Sequence, residues 1–283
     1  MVQPLNWETD ESTERVLNDT WDKDGNFIRT GSMGLDIARG NIPGISFIHK
    51  FGEAPDFDTG DGHVTIWDGA DDANIDQMVY QYSSTADIDR LSSSNAGDTQ
   101  DIEIQGLDSN FDQATQTITL TGQTPVALTT SLVRVFRLKN VGSTSNAGHV
   151  YCFVNGATTL GVPDTPADVR AIMQPGLNQT LMAVYTIPNG KTGYMDSFYA
   201  ATSGASKNSP FHVHFLARPT GQVLQLKNAF TILETGTSRT QHFYKVPEIF
   251  QAKTDIEMRV EAEAGGTTGA RFAGGFDLIL VDD

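Results

Sequence analysis

Asp101-Ile102-Glu103-Ile104-Gln105, then Thr117-Ile118-Thr119-Leu120-Thr121, then Leu132-Val133-Arg134-Val135-Phe136-Arg137-Leu138 lie within residues 97–142 and decide the fold class. Apolar and polar side chains alternate in each run, which places them on opposite faces of a strand. Gly122-Gln123-Thr124-Pro125 supplies turn chemistry between the second run and the third. Three such runs predict neighbouring antiparallel strands of a sheet buried on one face.

The same pattern extends outward on both sides. Strands are expected at 45–51, 63–67, 78–82 and 148–154, separated by acidic, glycine-containing loops. Residues 155–177 are looser. Pro163, Pro166 and Pro175 work against a long regular element there, and 167–173 reads as a short helical turn. A second β block opens at 180–187. With Pro188-Asn189-Gly190-Lys191 as the turn, residues 180–201 read as a hairpin. Further strands are expected at 211–217, 222–233, 240–244, 255–263 and 271–281. Many short strands with Gly, Pro, Asn and Asp turns indicate sandwiches or jelly rolls. The expected architecture is all-β: an irregular N-terminal arm (1–41), a first antiparallel β-sandwich (42–165) and a second, jelly-roll-like one (166–283).

The arm lacks periodicity, apart from one or two helical turns at 10–17. Trp7, Trp21 and Ile28 are its apolar anchors, and an arm of this kind packs on a neighbouring subunit or on its own sheet. In the second block, Phe211, Phe243, Tyr244, Ile249 and Phe250 exceed the needs of one small core and are candidate interface residues. They predict a homo-oligomer, with three-fold order favoured by analogy with other jelly rolls.

The chain has 283 residues, with 19 Lys and Arg against 35 Asp and Glu, a formal net charge of −16. That balance excludes a broad nucleic-acid-binding face, because phosphate contacts need clustered cations. No apolar run reaches the roughly 20 residues that span a bilayer. The residues after Met1 lack the basic and apolar regions of a signal peptide. Cys152, the one cysteine, lies in the apolar run Val150-Tyr151-Cys152-Phe153-Val154 and reads as a small buried residue. Stability must then come from packing and assembly, in a reducing compartment.

Three constellations bear on chemistry. His212 and His214 are two apart in a strand and share a face, as in cupin-type metal sites, with His242 downstream. The carboxylate such a site needs does not follow: the next residues are Phe215-Leu216-Ala217-Arg218-Pro219. No metal or cofactor is therefore expected. Asp22-Lys23-Asp24-Gly25-Asn26 and Asp56-Phe57-Asp58-Thr59-Gly60-Asp61-Gly62 space oxygens at alternate positions but lack the closing Glu of a calcium loop. No G-x-S-x-G and no phosphate-binding glycine loop occurs. No catalytic residue is expected.

Several phrases, in order from Gly40 onward, resemble a family of virion proteins of tailed phages from aquatic environments. They are Gly40-Asn41-Ile42-Pro43-Gly44-Ile45-Ser46-Phe47-Ile48-His49-Lys50-Phe51-Gly52, Gly106-Leu107-Asp108, Leu120-Thr121-Gly122-Gln123-Thr124-Pro125-Val126-Ala127-Leu128, Arg134-Val135-Phe136-Arg137, Tyr185-Thr186-Ile187-Pro188-Asn189-Gly190-Lys191-Thr192-Gly193-Tyr194 and Asp277-Leu278-Ile279-Leu280-Val281-Asp282-Asp283. The resemblance implies a non-enzymatic structural component of a virion, assembled in the host cytoplasm. A head decoration, minor capsid or head-to-tail neck protein fits. Its partners would be copies of itself and other virion proteins such as the major capsid protein, without nucleic acid or membrane. The alternatives are a fibre or spike module binding host glycan, and a cupin-like metalloenzyme built on His212, His214 and His242.

Overall fold

The structure, a computed structural model, describes residues 19–21, 27–29, 33–58, 60–70, 72–203, 210–233, 237–262 and 269–283. Contacts divide the chain into two units, 1–47 and 48–283. In the first unit, β1 (Asp19–Trp21) pairs antiparallel with β2 (Phe27–Arg29), and α1 (Met33–Ala38) follows. The helical turns expected at 10–17 lie outside the described residues, as does Trp7.

The strand β3 (Ile45–Phe57) leads into the second unit. Then come β4 (Val64–Thr65), β5 (Ile88–Ser93), β6 (Asp101–Leu107), β7 (Gln113–Thr119), β8 (Val126–Leu132), β9 (Arg134–Asn140) and β10 (Val150–Val154). The short β11 (Thr158–Thr159) and β12 (Val162–Pro163) pair with each other, and β13 (Val169–Met173) follows. The chain ends with β14 (Val184–Thr186), β15 (Lys191–Ser203), β16 (Pro210–Arg218), β17 (Gln225–Leu233), β18 (Thr237–Phe250), β19 (Asp255–Ala262) and β20 (Ala270–Asp282).

The alternating runs do form one sheet. β6 lies between β7 and β9, antiparallel to both. Its apolar side chains Ile102 and Ile104 are buried, as the two-residue period requires. β8, between β7 and β9 in sequence, belongs instead to a second sheet of order β13-β10-β5-β8. The two sheets enclose Leu132, Val135, Leu138, Val150, Cys152, Ala171 and Met173 in one core. Burial pushes the Cys152 thiol up to about 12, in keeping with a packing role.

The second sandwich stacks the sheet β18-β15-β20-β3 on the sheet β14-β19-β16-β17, with β4 paired to β19. Aromatic rings interlock between the layers: Phe211 lies 4.7 Å from Phe272, and Phe198 lies 5.2 Å from Phe215.

This pairing moves the boundary expected at 165/166. β3 and β4, from the expected first domain, sit in the sheets of the second sandwich. The first sandwich is then the segment 88–173, set between β4 and β14. Gly52 marks how close the approach is: a Cβ there would stand 2.2 Å from the Ile66 carbonyl oxygen and 2.5 Å from the Ala183 nitrogen.

Other expectations also change. Residues 180–201 are not a hairpin, because β14 pairs with β19 while β15 pairs with β18 and β20. The Pro188–Lys191 turn passes the chain from one layer to the other. The Lys253 N–H donates to the Ile187 carbonyl, and the Asp283 N–H donates to the Gly190 carbonyl. Of the 63–67 run only 64–65 is strand, with Trp67 in an isolated bridge to Met182, and 78–82 is irregular rather than strand. The helical turn expected at 167–173 is a single 3-10 turn, Pro166–Asp168, after which β13 begins.

Candidate functional site

Polar side chains concentrate on the outer face of the β4-β19-β16 layer, in two groups. The first is buried against the first sandwich. Asp255, on β19, receives Arg134 of β9 through Nε at 2.8 Å and Nη2 at 3.0 Å. It also receives Arg218 of β16 at 2.6 Å and the Thr186 hydroxyl at 2.6 Å. Tyr82 lies between the two guanidinium groups, 5.1 Å from Arg134 and 4.4 Å from Arg218. Its hydroxyl donates to Glu257, which also takes Arg259 through both oxygens and the Thr65 hydroxyl. Burial, followed by the Glu257 and Asp255 charges, pushes the Tyr82 hydroxyl well above its ordinary range. Every carboxylate here is matched by cations and donors, as buried charge requires. The chemistry is that of a junction joining the two sandwiches.

The second group opens to solvent beyond this junction. Antiparallel pairing sets Val64 opposite Val260, so His63 falls beside Glu261. The His63 Nδ1 lies 3.5 Å from a Glu261 oxygen. His214, one strand over on β16, places its ring 5.3 Å from that of His63. One ligand atom from each of His63, His214 and Glu261 lies within 4.8 Å of the others. Burial, with His63 next in importance, lowers His214 below the usual imidazole value.

The histidines weighed in the sequence are thus arranged differently. His212 and His214 do share a face, with rings 6.5 Å apart, but His212 hydrogen-bonds Thr231. His242 belongs to β18 in the opposite layer, 5.2 Å from Phe198, so the cupin-like trio is not brought together. His63 and Glu261 were missed because their meeting depends on the two-residue pairing of β4. Of the acidic loops, Asp22–Asn26 lies outside the described residues. In the other, Asp61 accepts from the Asp58 N–H, which is turn capping, and Asp58 accepts from the Gly269 N–H, which ties the loop to the residue before β20.

The candidate interface residues separate into two kinds. Phe211 and Phe250 are core, at 0% and 3% exposure. Tyr244 is half-buried, whereas Phe243 and Ile249 are exposed at 64% and 55%. They lie along the open edge formed by β17 and β18, where Val223, Leu226, Leu233 and Val246 are also exposed. Ile249 continues inward as a cross-strand row on the outer face, opposite Tyr194, which in turn is opposite Ile279. Trp21 and Ile28 lie in β1 and β2 of the first unit, and nothing of their side chains is described.

An all-β protein of antiparallel sandwiches, with a buried charge junction and an open apolar edge, is what these features define. No protein-family model and no curated protein matches the sequence. Among solved structures, a chain in the structure of the infectious bursal disease virus Gt strain is similar over 85% of this chain and 73% of that one. The identity is 12% and the TM-score 0.24, too loose a superposition to bear on fold or function.

Proposed function

We propose that this chain is a non-enzymatic structural component of a virion, a head decoration, minor capsid or neck protein that works by assembling with copies of itself and with other virion proteins. The virion setting follows the ordered phrases that resemble tailed-phage structural proteins. Assembly rests on one observation, the uncovered apolar edge of β17 and β18. Phe243, Val246 and Ile249 are exposed on β18, the outermost strand of its sheet among the described residues. Exposed apolar side chains grouped in this way mark a contact surface. Lys227 and Glu248 approach each other at 3.8 Å and Lys245 is exposed on the same strand, so the patch does not share the chain's negative excess. A patch without that excess suits a second copy of a chain with net charge −16, because the acidic surfaces of such copies repel. The buried junction around Asp255 gives each subunit the rigidity a repeated contact needs.

The mass of the full chain in solution tests the reading. An oligomer at micromolar concentration, three-fold on the jelly-roll analogy, is expected. A chain that stays monomeric and is missing from purified particles overturns it. The arm is part of the proposal: removing 1–41 is expected to leave a folded protein that is not incorporated.

A further inference from the structure

We propose that His63, His214 and Glu261 form a binding site for a divalent transition-metal ion of the zinc class. The three residues come from different elements: the end of the 58–63 loop, β16 and β19. Strand pairing brings them to one point. Two imidazole nitrogens and one carboxylate oxygen are a donor set that zinc accepts, with the fourth position left to water. Three ligands about 2.1 Å from a tetrahedral ion stand roughly 3.4 Å apart. The His63–Glu261 pair already lies at 3.5 Å. The remaining ligand atoms, within 4.8 Å, need only small side-chain rotations to close on an ion.

The surroundings favour binding over a simple ion pair. His214 is half-buried on a central strand, whereas His63 is exposed and already faces Glu261. Arg259, the nearest cation on the same strand, is held by both oxygens of Glu257, so Glu261 is not neutralised by it. His212 is turned to Thr231 and is not part of the set. An ion here ties the loop before β4 to the two strands beside it. The donors, two nitrogens and one oxygen, select zinc, cobalt or nickel over calcium and magnesium, which prefer oxygen alone.

The test uses the full chain, stripped with a chelator. Titration with zinc chloride, followed by calorimetry, is expected to show one equivalent bound per chain and a rise in melting temperature, with no response to calcium. Cobalt chloride is expected to give visible absorption of a four- or five-coordinate ion. His63→Ala, His214→Ala and Glu261→Gln are each expected to weaken zinc binding at least tenfold, while His212→Gln leaves it unchanged. The proposal is overturned if the wild type shows no zinc heat and no cobalt band. It is equally overturned if binding survives in the His63→Ala/His214→Ala double variant.

Discussion

Asp255 and Lys50 show two ways of burying a charge. Asp255 is surrounded by Arg134, Arg218 and Thr186, so its removal strands Arg134 in a site with almost no water. Asp255→Ala is expected to cost about 3–5 kcal/mol, measured by denaturant unfolding, because breaking one side of a buried pair leaves the other uncompensated. Lys50 is different. Its Nζ donates to the Phe136 carbonyl and lies 5.9 Å from the Phe136 ring. Burial, reinforced by Arg137, lowers it well below the usual lysine value. The sign follows from proton counting. Between the folded and the unfolded values, the unfolded chain holds the extra proton, so stability rises with pH up to about 10.4. Lys50→Met removes that dependence. Wild type is therefore expected to gain on the variant as pH rises through the alkaline range toward about 10. A constant difference between the two across that range refutes the expectation.

At the scale of elements, β6 and β7 were legible because each is wetter on one face, and alternation records that directly; β9 was legible from Arg134, Arg137 and Lys139 set among apolar residues, although Arg134 and Phe136 are buried. β5 and β13 were not, since Leu91, Ser92 and Ser93, and all of Val169–Met173, are buried on both sides and lose the two-residue signal. The Pro188–Lys191 turn was legible as a turn, but its use as a crossing between layers was not, because turn chemistry fixes local geometry and not the sheet that receives the next strand. β18 shows how a strand can be read and its role still be hidden. Ser197 pairs with Phe243 and Met195 with Glu248, so four residues of β18, 244–247, face a single residue of β15. That bulge lifts Val246 to 80% exposure, and Pro247 denies a partner strand one backbone donor. The bulge therefore favours side-chain packing over strand addition at this edge. Phe243→Glu with Ile249→Glu is expected to leave the far-ultraviolet dichroism unchanged and to shift the solution mass to that of a monomer. Val246→Glu alone is expected to weaken the oligomer less. An unchanged mass in the double variant places the subunit contact elsewhere.

The whole molecule departs from the sequence reading in how the sandwiches share the chain. Proline density near 163–175 marks a break in regular structure, but a break along the chain is not a division in space. The layer pairing shows a different economy of chain: β3 and β4 complete the second sandwich before the first begins. Phe57 of β3 packs 5.8 Å from Phe272 and 6.1 Å from Phe211, so its ring belongs to the core that 166–283 was expected to build alone. One apolar cluster runs from Ala54 through Ile102 and Cys152 to Leu280. The Asp255 junction crosses between the sandwiches beside it. Two consequences follow for folding. Residues 48–283 are expected to unfold in one cooperative transition, coincident by fluorescence and by circular dichroism, because no apolar gap separates the halves. A fragment of 166–283 is expected not to fold. It lacks β3 beside β20, leaves Phe211 and Phe272 without Phe57, and exposes the β19 edge where β4 pairs. A dispersed amide spectrum from that fragment would show that the second sandwich is complete without its N-terminal strands, and would restore the boundary at 165/166 that the proline pattern suggested.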